Sequence, residues 1–230
     1  MSTDPVLCIR DVTFGYAADQ TLINIANFSI AAGESVFLRG PSGSGKSTLL
    51  GLIGGVLEPR TGEITLCGEN LQTLSTGQRD RVRVDHLGII FQQFNLLPYL
   101  SVLRNVTLPC RFSEKRRARL HGGIDDEARH LVDALGLGAN EIDRPVRDLS
   151  VGQQQRVAVA RALIGAPDLI IADEPTSALD HDNRDRFIKL LDTQRKSFRS
   201  SLLFVSHDTT LAKHFDRAVD LCDLNQGVMV

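Results

Sequence analysis

Gly40-Pro41-Ser42-Gly43-Ser44-Gly45-Lys46-Ser47 gathers glycines, an ammonium and hydroxyls into one short run. Such a run can surround a polyanion with backbone N–H donors, because glycine permits a close main-chain approach that a Cβ would obstruct. Lys46 supplies a compact positive charge for β- and γ-phosphates, and the Ser47 hydroxyl suits a Mg²⁺ ion. The stretch from Gly40 to Thr48 is therefore expected to bind a nucleotide. A second constellation, Asp173-Glu174, closes the apolar run Leu169-Ile-Ile-Ala172. Strand ends beside a phosphate loop are where an α/β sheet places its ligands. Asp173 would hold the Mg²⁺ shell, and Glu174 would polarise a water for in-line attack on the γ-phosphate. Adjacent acids after a strand also serve as plain caps, and Pro175-Thr-Ser-Ala-Leu-Asp180 favours the chemical reading.

These residues need a sheet with helices on it. Ser35-Val-Phe-Leu-Arg39 is a short apolar run entering the glycine loop, and Ser47-Thr-Leu-Leu-Gly-Leu-Ile53 leaves it with helical character. Strand, glycine loop and helix is the context that a phosphate-loop match requires. Val6–Phe14 and Thr21–Ile30 are rich in β-branched and apolar residues and read as strands. Asp168–Ala172 and Ser201–Val205 are uninterrupted apolar runs, as expected of parallel strands covered on both faces. Between them, Ser101–Leu108 and Asp125–Leu137 suggest helices with no convincing strand, so residues 94–155 read as a helical lobe. Residues 1–93 and 156–230 then form the α/β core, giving one domain.

Composition narrows the class. With 26 basic and 28 acidic residues the net charge is −2, which implies no broad nucleic-acid-binding surface. The densest basic run, Lys115–Arg119, reads as a solvated helical face. Cys8, Cys67, Cys110 and Cys222 are scattered without a CxxC pair or metal-like clustering with His, so reduced thiols in a cytosolic compartment are expected. The N-terminus lacks the pattern of a signal peptide, and no stretch approaches the roughly 20 apolar residues of a membrane helix. Membrane action would require another protein as anchor.

The phosphate loop, Leu149-Ser150-Val-Gly152-Gln153, Asp173-Glu174, Ser177-Ala-Leu-Asp180 and His207 resemble, in order and spacing, the ATP-binding-cassette ATPases. The resemblance covers essentially the whole chain. It implies a RecA-like P-loop core with an N-terminal antiparallel β subdomain and an inserted helical subdomain. It also implies a head-to-tail homodimer with two MgATP at the interface, each lying on one subunit's Gly40–Thr48 loop and facing the other's Ser150, Gly152 and Gln153. Tyr16 resembles the aromatic that stacks on adenine. Gln92 resembles the glutamine linking the Mg²⁺ and water site to the helical lobe, with Gln93 as the alternative register. His207 resembles the histidine that contacts the γ-phosphate and orients the catalytic Glu, and Asp180 the acid that signals across the dimer. The remaining histidines, His86, His121, His130, His181 and His214, read as surface residues. Val151 stands where the commonest family form has glycine; it is expected at negative φ, since a β-branched residue is strained at positive φ.

A transporter ATPase subunit is the leading expectation, with a soluble ATPase acting on nucleic acid or ribosomes as the alternative of another class. Asp80–Phe91 and Leu211–Arg217 look like the lipoprotein-release and macrolide-exporter group. Gln92–Pro98 and Pro175–Asp180 also resemble polar amino-acid importers. A membrane permease is expected to contact the Gln92–Asn105 region, where one or two of the apolar residues Phe94, Leu96, Leu97, Tyr99 and Leu100 should be exposed. The chain would then lie on the inner face of the cell membrane through that permease.

Overall fold

The computed structural model describes residues 4–177, 179 and 181–227. In chain order the elements are β1 (Leu7–Phe14), β2 (Ile23–Ile30), β3 (Ser35–Arg39), α1 (Lys46–Ile53), β4 (Thr61–Leu66), β5 (Glu69–Asn70), α2 (Thr76–His86) and β6 (Leu87–Ile90). They continue with α3 (Val102–Phe112), α4 (Glu114–Ala118), α5 (Ile124–Ala134), α6 (Val151–Leu163), β7 (Leu169–Asp173), α7 (His181–Ser197), β8 (Ser201–Val205), β9 (Arg217–Asp220) and α8 (Leu221–Leu224). No described helix is long and apolar enough to cross a membrane.

Two sheets divide the strands. β2-β1-β4-β5 is antiparallel, and β6-β7-β8-β3-β9 is parallel. The fold is thus α/β, a RecA-like P-loop core carrying an antiparallel sheet. β1 and β2 share one burial pattern, Leu7, Ile9, Val12 and Phe14 matching Ile23, Ile25, Phe28 and Ile30, with the alternation shifting by one residue midway along each strand. β3, β7 and β8 are buried almost throughout, as strands covered on both faces must be.

The two faces of the parallel sheet belong to different apolar clusters. Val36, Leu38, Ile171 and Leu203 pack with the antiparallel sheet and α1. Phe37, Ile170, Ala172 and Phe204 pack with α3, α5 and α6. Period-2 alternation along β3, β7 and β8 therefore ties the layer of α1 and the antiparallel sheet to the layer of α3, α5 and α6. Each fully buried Leu or Ile contributes about 1.5–3 kcal/mol of transfer free energy.

Two expectations are corrected. The run Lys115–Arg119 is only in part a solvated face: Lys115, Arg117 and Ala118 are exposed, but Arg116 is fully buried and Arg119 is half-buried. The Arg116 Nη1 donates to the Ile164 carbonyl at 3.0 Å, and its Nη2 donates to the Leu87 carbonyl. Ile164 is the residue just past α6 and Leu87 opens β6, and the guanidinium fork on α4 meets both carbonyls. Burial pushes that guanidinium down to about 10. His86 is likewise buried, with Nδ1 2.6 Å from Asp168 Oδ2, rather than at the surface. His121 and His130 are exposed, as expected, and His214 is half-buried at 3.4 Å from Asp185. The side chain of His181 lies outside the described residues.

Helix α2 had no counterpart among the sequence expectations. Its signal was present, however: Ser75 and Gln78 form a reciprocal capping box at its start.

Candidate functional site

The glycine loop joins the end of β3 to α1. Gly43 and Gly45 sit at φ 82° and 95°, conformations a Cβ would strain. A Cβ on Gly40 would lie 2.6 Å from Ser44 Oγ and 3.3 Å from Leu221 Cβ, so a side chain there would force the Ser44 hydroxyl to move. Among the described residues no side chain caps the N-terminus of α1, which leaves its first N–H groups for an anion. Ser44 Oγ is buried without a hydrogen-bond partner among the described residues. Lys46 Nζ donates to the carbonyls of Gly40 at 2.7 Å and Pro41 at 2.9 Å. An uncapped helix tip, an orphaned hydroxyl and a lysine resting on its own loop fit a phosphate group.

A cavity of about 650 Å³ opens over this loop, lined by Ser42, Gly43, Gly45, Lys46, Ser47 and Thr48 together with Gln92, Asp173, Glu174 and His207. Leu22 and Ser177 also line it, though the sequence reading did not name them as site residues. Ser47, Gln92 and Asp173 contribute hydroxyl, amide and carboxylate oxygens to the lining, a donor set suited to Mg²⁺. Burial raises the Asp173 pKa, Glu174 beside it adds to the rise, and Lys46 opposes it.

Glu174 follows β7 directly. Its N–H donates to the Val205 carbonyl at 2.9 Å, its side chain is buried, and its φ is 45°. A non-glycine residue at positive φ costs about 1 kcal/mol or more and marks a position held by its surroundings. His207, just past β8, reaches both carboxylate oxygens through Nδ1 at 3.0 and 3.1 Å.

Tyr16 stands beside the loop, 71% exposed. Its hydroxyl is 3.2 Å from Thr48 Oγ1, and its ring meets Phe14 edge-on at 5.1 Å. Gln92 and Gln93 are both exposed, and only Gln92 lines the cavity among the described residues. In the segment that follows, Phe94 is buried, Leu96, Leu97 and Leu100 are half-buried, and Tyr99 is 70% exposed.

Ser150 caps α6. Its Oγ accepts from Gln153 N at 3.3 Å, and Gln153 Oε1 accepts from Ser150 N at 2.9 Å. Val151 occupies the first helical position at negative φ, as expected, and is 55% exposed. Ser150 and Gly152 are exposed, and neither they nor Gln153 lines the cavity of their own chain. Farther along α6, Gln155 Nε2 donates to the Pro175 carbonyl at 2.8 Å, tying this helix to the segment just after Glu174. Asp180 lies outside the described residues.

Away from the cavity, Cys67, His86 and Asp168 offer donor atoms within 4.8 Å of one another, a grouping absent from the linear spacing. Cations of the chain already serve it. Arg119 Nη2 reaches both Asp168 oxygens at 3.0 and 3.1 Å, and Lys115 Nζ lies 3.1 Å from His86 Nε2. Burial pushes the Cys67 thiol up to about 12, keeping it protonated.

Residues 23–177 match the ABC transporter family, to which the chain belongs. It is an ATP-binding, ATP-hydrolysing enzyme of that family. It is 40% identical over 195 residues to the lipoprotein-releasing system ATP-binding protein LolD of Xanthomonas oryzae pv. oryzae, covering 85% of this chain and 78% of that one. Against the macrolide export ATP-binding/permease protein MacB of Escherichia coli it is 38% identical over 204 residues, 89% of this chain and 31% of MacB. Its structure is similar to the dimeric ATP-binding cassette MJ0796 in a post-hydrolysis state bound to ADP and Pi. That likeness has a TM-score of 0.79 and 32% identity, over 93% of each chain.

Proposed function

We propose that this chain is the ATPase subunit of a transporter of the lipoprotein-release or macrolide-export type, working as a head-to-tail pair around two MgATP. The observation that carries the reading is the placement of Ser150. An exposed, serine-capped helix tip is an anion site, yet it stands outside the cavity that holds its own chain's phosphate loop. A second copy would bring that tip to the γ-phosphate. LolD and MacB as relatives favour this group over the amino-acid importers.

Within one site, the Gly40–Thr48 loop and the tip of α1 would hold the phosphates, and Tyr16 would face the adenine. Ser47, Gln92 and Asp173 would ligate Mg²⁺, which when bound neutralises phosphate charge. Glu174 would orient the attacking water and accept its proton. His207, with Nδ1 at 3.0 and 3.1 Å from the two Glu174 oxygens, would fix the carboxylate's direction. Asp180 would signal across the dimer. Hydrolysis would remove the γ-phosphate that joins the two copies, and the pair would open.

The permease would dock on residues 92–105, where the core passes into the helical lobe (94–155) and Tyr99 presents an exposed ring. The chain would thereby sit on the inner face of the membrane. Purifying the chain from detergent-solubilised membranes with its bound integral membrane protein tests this assignment. A permease of few spans with a large external domain supports it; a many-span permease served by a separate solute receptor contradicts it.

A further inference from the structure

Beyond the cavity wall, one surface guanidinium is committed to the main chain of the turn that presents Tyr16. Arg60 is exposed, yet its Nη2 donates to the Gly15 carbonyl at 3.0 Å and also to the Ala17 carbonyl. Its Nη1 donates to the Ala18 carbonyl at 3.3 Å, and its own N–H donates to the Thr13 carbonyl at 2.7 Å. The turn closes on itself through Gln20 N on the Ala17 carbonyl at 3.0 Å and Leu22 N on the Phe14 carbonyl at 2.8 Å. It is too tight for a side chain at position 15, where a Cβ would sit 1.9 Å from the Gln20 carbonyl oxygen.

Strand register brings Arg60 there. β1 and β4 pair with a shift between Arg10 and Thr13, and the pairing resumes at Thr13 opposite Thr61. Asp11 takes φ 50° at that irregularity. Arg60, one residue before β4, therefore emerges beside the turn that follows β1. Its planar fork can serve several carbonyls at once, which a lysine's single ammonium does less well.

We propose that Arg60 is a positioning residue for the nucleotide base: it sets the turn 15–20 so that the Tyr16 ring stands ready as a stacking face for adenine. The inference rests on the assignment of Tyr16 to adenine made above. A turn freed of Arg60 holds the ring in place only part of the time, and affinity falls by that fraction. The phosphates are read by a different loop, so a ligand without a base should not sense the change, nor should turnover at saturating ATP.

The test is calorimetric titration of the full chain, in Mg²⁺-free buffer, with ATP and with inorganic tripolyphosphate. Arg60→Ala should weaken ATP on the order of tenfold, leave tripolyphosphate unchanged, and be partly rescued by Arg60→Lys. In a Tyr16→Ala background, Arg60→Ala should add nothing. If Arg60→Ala does not fold, Arg60→Gln and Arg60→Lys carry the same comparison. Wild-type ATP affinity in the Arg60 variants, with Tyr16→Ala weakened, overturns the role of Arg60 and leaves Tyr16 on the base. Equal losses for ATP and tripolyphosphate also overturn it, because the effect would then reach the phosphates. No loss in Tyr16→Ala overturns both readings.

Discussion

His207 Nδ1 stands 3.0 and 3.1 Å from the two carboxylate oxygens of Glu174, a residue held at φ 45°. The two come from neighbouring strands, β7 and β8, and Glu174 N–H is bonded to the Val205 carbonyl at the end of β8. The sheet itself therefore sets the carboxylate's direction. His207→Ala should lower the rate of ATP hydrolysis about 10²-fold or more while leaving ATP affinity near wild type. Phosphate release and calorimetry on the same preparation check both halves, and a parallel loss of affinity would count against the assignment.

Lys46 bonds the Gly40 and Pro41 carbonyls at 2.7 and 2.9 Å. A phosphate offers its ammonium a charged partner instead of neutral carbonyls. Charged hydrogen bonds contribute about 1.5–3 kcal/mol, so Lys46→Ala should weaken ATP roughly ten- to hundredfold. Unchanged affinity in a calorimetric titration would remove Lys46 from phosphate binding.

Arg116 is buried against the Leu87 and Ile164 carbonyls and joins α4 to the core. Truncation leaves those acceptors dry and opens a void. Arg116→Ala should destabilise the fold by about 3 kcal/mol, read as a lower urea midpoint. A variant as stable as wild type would mean that the guanidinium contributes nothing net.

Asp168 adds a pH dependence. Burial works against its charge, but hydrogen bonds from His86 and Arg119 outweigh that and hold its pKa below the ordinary 3.8. A depressed folded-state pKa contributes stability that is fully present above 3.8 and fades as pH falls through the folded value. Asp168→Asn should therefore be less stable than wild type at about pH 7, and the two urea midpoints should converge as the pH drops below 3.8. A gap independent of pH would show that charge is not what Asp168 supplies.

Much of the site was legible because its residues lie in short contiguous runs. Gly40–Thr48 and Asp173-Glu174 each carry their chemistry within a few positions, and the flanking apolar runs announced β3, α1 and β7. What the sequence did not show depends on contacts between distant segments. Arg116 looks like one cation in a basic run, and nothing local tells that Leu87 and Ile164 will bring it their carbonyls. His86 is buried because Asp168, far along the chain, supplies its partner. The positive φ of Phe94 and Asn95 is equally non-local, since Arg161 on α6 donates to both of their carbonyls at 2.6 Å. Ser75 and Gln78, by contrast, were a readable start signal for α2.

The pairing of two copies through Ser150 is the claim on which the motor rests. Its most direct measurement is sizing, with and without ATP, of Glu174→Gln and of Glu174→Gln with Ser150→Arg added. Glu174→Gln should bind ATP without hydrolysing it and elute as a dimer. The double variant should bind ATP with the single variant's affinity and elute as a monomer, because the bulky guanidinium introduced at the tip of α6 would obstruct only the neighbour's phosphate. A double variant that still dimerises on ATP, or a Glu174→Gln chain that stays monomeric with ATP bound at high concentration, would contradict the account.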